Sequence, residues 1–366
     1  MKYYWSLILP SLFCLQCTSL KSDSEKSSHV TDPTAKSSVA ASTKPKNNEA
    51  TTTANSNLIT VADAHVHLVD FLQQTEGIQS LIKAMDQAGV QEAMISGMPL
   101  VKKWEVYESR KPLYYLESDS KVYWYSATDP LVAKEVLKLP VQQQKRFFPF
   151  ISGFNATDRN AIDHIRRMIE WYPDLWAGIG EIMSRHDDLT ALTYGETPRA
   201  DHIALDPIYN LAAELDIPVS IHHNMGSVWL REPIYLGEME NAISRFKKTK
   251  FIWCHSGISR RLQIPTLVSD LRRLLKTYNN LWLDISWVVY DEHIAPQGVL
   301  NNDWVKLIQD NPNRFIIGSD IVGKFANYNK EIRKYDILFD KLGPAVSQKV
   351  ARNNFLSLVS KKRARL

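Results

Sequence analysis

Two histidines one residue apart, in "VADAHVHLVD" (61–70), close a short apolar run. Residues i and i+2 of a strand project to one side. His65 and His67 can therefore each offer a ring nitrogen to one cation. Alone the pair is weak, because His-x-His also occurs on exposed strands. Its weight comes from what recurs further along. "IPVSIHH" ends near His222, "FIWCHSG" carries His255, "FIIGSD" ends in Asp320, and "AGIGEI" sets Glu181 at the same level. An imidazole or carboxylate is a costly occupant of a buried strand unless it has a partner. Five such strand ends gathered around one axis become each other's partners through a cation. On a regular strand His223 faces away from His222, and the register of "PVSIH" favours His222 as the inward residue.

The elements that must position these residues alternate along the chain. Eight short runs, at 58–68, 92–98, 147–154, 175–182, 217–223, 251–257, 281–286 and 315–320, are apolar in the manner of strands buried on both faces. Helix-like stretches lie between most of them. The stretch 78–89 ends in Gly89, suited to a helix C-terminus. The stretch 158–173 stops at Pro173. Those at 206–216, 238–248, 265–278 and 301–312 carry an apolar stripe at helical spacing. Eight strand–helix units over roughly 300 residues predict an α/β chain folded as a (β/α)8 TIM barrel. An open doubly wound sheet is the runner-up; no G-x-G-x-x-G follows the first strand to support a dinucleotide fold.

Two connections are long. Residues 99–146 hold Trp104, Tyr107, Tyr114, Tyr115, Tyr123, Trp124 and Tyr125, which is too aromatic for disorder. Loops after barrel strands sit on the catalytic face. A long aromatic-rich insertion after strand 2 is thus expected to form a lid or pocket wall. Trp104, Tyr107, Trp124 and, past the seventh strand, Trp287 are its candidate substrate contacts. The second long connection is 183–203.

Lys+Arg (44) and Asp+Glu (40) nearly balance, leaving +4, so nothing calls for nucleic acid and a small-molecule substrate is the expected partner. Three cysteines, Cys14, Cys17 and Cys254, give no disulfide framework. "MKYYWSLILPSLF" followed by "CLQC" has the shape of an export signal. It resembles a bacterial lipoprotein leader (1–17) with Cys17 as the lipidated residue, although Gln16 stands where a small residue is usual. That resemblance implies export to the cell envelope and membrane attachment through a lipid. Residues 18–57 hold no aromatic residue and are rich in Ser, Thr, Lys, Ala and Asn, which predicts a disordered linker. The folded domain is expected over 58–366. Oligomeric state is not written in the sequence.

Taken in order, "DAHVHL", "GIGEI", "PVSIHH", "WCHSG" and "GSD" resemble the signature of the amidohydrolase superfamily. The closest likeness is to its amidohydrolase-related (amidohydrolase 2) branch of metal-dependent TIM-barrel hydrolases. The likeness runs from about Thr60 to about Val359 and includes "ARNNFLSLV", where Asn354 is similar to the asparagine usual there. The resemblance implies that His65, His67, His222 and Asp320 bind a divalent metal. Zinc is the first expectation, with manganese or iron as alternatives. Glu181 would be a bridging carboxylate or a hydrogen-bond partner of a ligand, so the count is one ion or two, one being the simpler expectation. His255 matches a histidine that contacts substrate or binds a second metal. No lysine ends strand four, so a carboxylated-lysine bridge is not expected. Asp320 and His255 are the implied catalytic pair, with hydrolysis of an ester, lactone or amide as the expected reaction. Non-oxidative decarboxylation on the same scaffold is the alternative, for which Arg185 and Arg260 are candidate partners of a substrate carboxylate. A catalytically inactive surface-binding lipoprotein is a third reading; against it, no expected ligand is replaced.

Overall fold

The protein is described here from a computed structural model that covers residues 59–125, 127–359 and 363–366. The leader at 1–17, Cys17 and the linker at 18–57 lie outside the described residues. All eight apolar runs form strands: β1 (Val61–Val69), β2 (Val90–Gly97), a short pair β3 (Leu100–Lys102) and β4 (Val122–Trp124), then β5 (Phe147–Ile151), β6 (Gly178–Met183), β7 (Pro218–His222), β8 (Lys250–Trp253), β9 (Leu281–Asp284), β10 (Phe315–Ile316) and β11 (Ile321–Val322). The main sheet runs β10-β9-β8-β7-β6-β5-β2-β1-β11. Its two edge strands are the two halves of a single segment, 315–322. The first half pairs in parallel with β9 and the second in parallel with β1. Between them the Ala64 amide donates to the Ile317 carbonyl at 2.9 Å. That segment closes the sheet into an eight-stave TIM barrel, and all nine residues of β1 are buried.

Helices cover the outside: α1 (Ile78–Ala88), α2 (Thr128–Leu137), α3 (Val141–Gln144), α4 (Ala161–Trp171), α5 (Asp206–Leu215), α6 (Leu236–Arg245), α7 (Leu267–Thr277) and α8 (Asn302–Asp310). Gly89 ends α1 in the left-handed conformation, φ 71°, which glycine adopts without a Cβ clash. On α7 the spacing of Leu267, Leu271, Leu274 and Leu275 puts one leucine stripe against the barrel. A separate apolar cluster fills the barrel's interior, with Ala62, Ala64, Met94, Phe148, Phe150 and Ile252 packed against Phe355, Leu358 and Val359 of the terminal helix Asn354–Val359. Asn354 fixes that helix by donating from Nδ2 to the carbonyls of Pro312 (2.9 Å) and Phe315 (2.8 Å). Among the described residues no helix is long and apolar enough to cross a membrane.

The connection after β2 is not one lid. Its second half contains α2 and α3, the ordinary crossover to β5, with Val132, Ala133 and Val136 of α2 buried. Only 99–125 forms the excursion, built on the antiparallel β3–β4 pair.

Candidate metal centre

β1 delivers His65 and His67, both buried, to one side at its C-terminal end. His65 Nδ1 lies 2.8 Å from Asp284 Oδ2. Asp284 also accepts from Ser286, the hydroxyl at Oδ2 (2.7 Å) and the amide at Oδ1 (2.8 Å). A carboxylate only accepts, so the His65 hydrogen sits on Nδ1 and its Nε2 presents a lone pair. That Nε2 stands 3.1 Å from His67 Nε2 and 3.4 Å from Asp320 Oδ1, and His67 Nε2 is 3.3 Å from the same oxygen. Four ligands at about 2.0–2.1 Å from a tetrahedral ion lie about 3.3–3.4 Å apart. The triangle therefore has the size of one face around such an ion. Glu181 Oε2 makes a second triangle on the same His65–His67 edge, at 3.5 and 3.2 Å.

The other oxygens of both carboxylates face a second donor group. Glu181 Oε1 is 3.1 Å from His222 Nδ1 and 3.9 Å from His255 Nε2; Asp320 Oδ2 is 3.8 Å from His255 Nε2. His222 turns Nε2 to Asn224 Oδ1 (3.1 Å), and the Asn224 amide is oriented by donating to Asp187 at 2.8 Å. His255 turns Nδ1 to Ser286, 3.0 Å from the hydroxyl and 3.3 Å from the carbonyl. His222 thus meets an acceptor at each ring nitrogen, and His255, with its Nδ1 hydrogen given to Ser286, turns a bare Nε2 toward both carboxylates. Acceptor facing acceptor is repulsive unless positive charge lies between them.

The electrostatics make the same demand. Burial disfavours charge on His65, yet the carboxylates of Asp320, Glu181 and Asp284 outweigh it and hold its pKa well above the usual imidazole value. His67 is raised against the same burial by Asp320 and Glu181. Burial would raise Glu181, but His65, His222 and His67 hold it well below the ordinary carboxylate value. Asp320 is brought down to about 2, against burial, by His65 and His255. Imidazolium charge drawn into a buried cluster is the response of a donor set that fits a divalent cation.

Backbone features set these positions. A Cβ on Gly180, where φ is +127°, would lie 2.2 Å from the Ser220 carbonyl oxygen, so only glycine lets β6 press on β7 beside Glu181. A Cβ on Gly318 would lie 2.4 Å from His65 Cβ, which fixes the closing segment against β1. Asp63 joins the same two elements: its Oδ1 accepts the amides of His65 (3.0 Å) and Ser319 (2.9 Å). His255 and Asp320 are left-handed, φ 54° and 50°. For non-glycine residues this costs roughly 1–3 kcal/mol and clusters at active sites.

Above the centre lies a cavity whose wall includes Phe71, Tyr115, Met183, His186, Arg260 and Trp287. Arg260 lies over the Trp287 ring (4.6 Å) and donates to the hydroxyls of Tyr115 and, at 3.0 Å, Tyr114. Other predicted contacts lie elsewhere. Trp104 is 55% exposed and Tyr107 71%; Tyr107 meets Ser120 at 3.2 Å. Trp124 lines a different cleft with Tyr125 and Phe154. Arg185 bonds Glu238 twice (2.7 and 2.6 Å) and stacks on Tyr235. Their aromatic or basic character foretold burial and pairing, but not which surface they would join. His223 bonds Ser184 and Tyr235, away from the centre. Sequence reasoning passed over Asp284, though it ends "LWLDIS" as Asp320 ends "FIIGSD". It also passed over Asn224 and His186, which sit in loops where periodicity gives no signal.

A family model described as amidohydrolase matches residues 134–354. The chain belongs to the amidohydrolase family. Among solved structures this amidohydrolase is similar to a protein named amidohydrolase II, with 13% identity, a TM-score of 0.52, and 82% of this chain and 100% of that one covered. It is similar to 4-oxalomesaconate hydratase from Rhodopseudomonas palustris, with 13% identity, a TM-score of 0.50, and 82% and 95% covered. It is also similar to 5-carboxyvanillate decarboxylase from Sphingomonas paucimobilis, with 13% identity, a TM-score of 0.50, and 82% and 99% covered. At that identity the likeness is one of fold. No curated protein matches the chain. The amidohydrolase family uses a divalent metal, and the groups His65–His67–Asp320 and His65–Glu181–His255 each bring three donor atoms together.

Proposed function

We propose that this metal-dependent enzyme hydrolyses an ester, lactone or amide with water activated at the centre formed by His65, His67, His222, Asp320 and Glu181. The observation that carries the reading is the triangle of His65 Nε2, His67 Nε2 and Asp320 Oδ1, with sides of 3.1, 3.3 and 3.4 Å, under a cavity. A bound divalent cation, zinc first and manganese or iron next, supplies Lewis acidity and brings the pKa of water to about 7. Asp320 is the base. Its side chain is 12% exposed, against 3% or less for His65, His67 and Glu181. It lines the cavity, and Oδ2 is turned from the His65–His67 pair. It can take the water proton and return it to the leaving group. His255 gives its N–H to Ser286 and keeps a bare Nε2. That favours holding a cation over donating to an oxyanion; His65, His67 and Asp320 would hold one cation, and Glu181 with His255 offers donors for a second. The leader pattern supports work in the cell envelope, anchored through Cys17.

Decarboxylation is the second reading, favoured by the presence of Arg260 on the cavity wall, where it suits a substrate carboxylate. The named relatives include a hydratase and a decarboxylase, and one fold hosts many reactions. The test is a panel of lactones, esters, amides and aromatic acids, following both proton release and carbon dioxide. Asp320→Asn should lower turnover by about 10²–10⁴-fold while the protein still binds metal. A variant at near-normal rate removes Asp320 as the base, and carbon dioxide release replaces hydrolysis with decarboxylation.

A further inference from the structure

We infer that His186 is a specificity-determining residue that donates Nε2–H to a carboxylate of the substrate beside Arg260. The inference deepens the reading of the cavity as the substrate site and rests on it. It narrows the substrate to an acid with a flat body.

His186 sits in the loop after β6, is 5% exposed, and lines the cavity. The Asp188 amide donates to its Nδ1 at 3.1 Å. A nitrogen that accepts carries no hydrogen, so the ring is neutral and its hydrogen is on Nε2. Among the described residues no protein atom accepts from that Nε2. The turn is pinned by the His186 amide, which donates to Thr190 Oγ1 at 2.9 Å. Rings hold the imidazole plane: His222 at 4.6 Å and 35°, Trp287 at 6.2 Å and 24°, and the edge of Tyr115 at 6.5 Å. Because the ring lines the cavity, that donor is available to a ligand there.

Arg260 supplies the charge. Its partners are two phenol hydroxyls and the face of Trp287. Among the described residues no carboxylate reaches it at ion-pair distance, whereas Arg185, Arg261, Arg273 and Arg352 each have one. His186 and Arg260 flank the same two rings, Tyr115 and Trp287. A guanidinium and a neutral N–H around one aromatic wall suit the two oxygens of a carboxylate, with a planar body against Trp287.

The test uses the full chain loaded with zinc and benzoate as the probe, with binding measured by calorimetry in wild type, His186→Leu and His186→Gln. Glutamine carries an amide donor of similar reach; leucine carries none. Zinc content measured in all three reports on the centre itself. Hydrogen bonds to charged groups predict a loss of about 10-fold or more in His186→Leu. His186→Gln should stay within about 3-fold of wild type, and benzyl alcohol should bind wild type and His186→Leu alike. Equal benzoate affinity in wild type and His186→Leu overturns the inference. So does a zinc-loaded wild type without benzoate affinity, a result that leaves the metal-centre reading standing. Wild type that takes up no divalent cation sinks the metal-centre reading, whichever way benzoate behaves.

Discussion

Asp284→Asn is the most informative substitution because it changes charge and almost no volume. Asp284 is fully buried, and its Oδ2 lies 2.8 Å from His65 Nδ1. His65 holds its carboxyl below the usual range against the opposing effect of burial, so the group is an anion backing an imidazole. Such backing fixes the tautomer and raises ligand basicity, and its loss typically costs 10–100-fold in metal affinity. That converts to about 1.4–2.7 kcal/mol, in line with the net worth of a hydrogen bond to a charged group. An asparagine cannot be an anion, and turning its NH2 toward Nδ1 would push the His65 hydrogen onto Nε2, the atom aimed at the cation. The assay is a zinc titration against a chromophoric chelator, with the exposed Asp163→Asn as control. We expect the dissociation constant of Asp284→Asn to rise about 10–100-fold and that of the control to stay put. Unchanged affinity, or an equal loss in the control, would refute the assignment of His65 Nε2 as a ligand backed by Asp284.

Two more outcomes follow from the geometry and one from the leader sequence. Glu181→Gln should lower bound metal from two equivalents to one or fewer by elemental analysis, and a wild type holding a single equivalent removes Glu181 as a bridge. In the metal-free protein, acid should destabilise the fold through His223, whose pKa burial pushes down to about 3. The unfolded chain takes up that proton near 6.5, so stability is complete above that pH and falls below it, by up to about 1.4 kcal/mol per pH unit. A urea midpoint with the same pH slope in His223→Gln between pH 7.5 and 5 would contradict this. Finally, the full chain expressed in a bacterium should incorporate radiolabelled palmitate, and Cys17→Ser should not; label retained by the variant moves the acylation elsewhere.

The barrel was legible because burial on both faces leaves a plain trace. Runs such as "IPVSIHH" and "FIWCHSG" cannot be amphipathic surface strands, and their polar ends stand out against them. His65, His67, Glu181, His222, His255 and Asp320 were visible for that reason. Asp284 gave the same signal more faintly: a single aspartate in "LWLDIS" with no imidazole beside it. The cavity wall was less legible. Tyr114 and Tyr115 look no different in sequence from Tyr107 or Trp104, and only the path of the 99–125 excursion decides that Tyr115 is buried while Tyr107 is 71% exposed. Loop residues such as His186 take their role from tertiary contacts, which carry no period.

The closing segment 315–322 has one more implication. It is the last stave to be synthesised, yet it holds Asp320 and, through Gly318, the clearance that seats His65. A nascent chain that has emerged only as far as β9 owns the imidazoles without Asp320, and its first stave lacks one neighbour. The donor group His65–His67–Asp320 is therefore complete only once the ring has closed. A cation held by His65, His67 and Asp320 would thus join the first stave to the last.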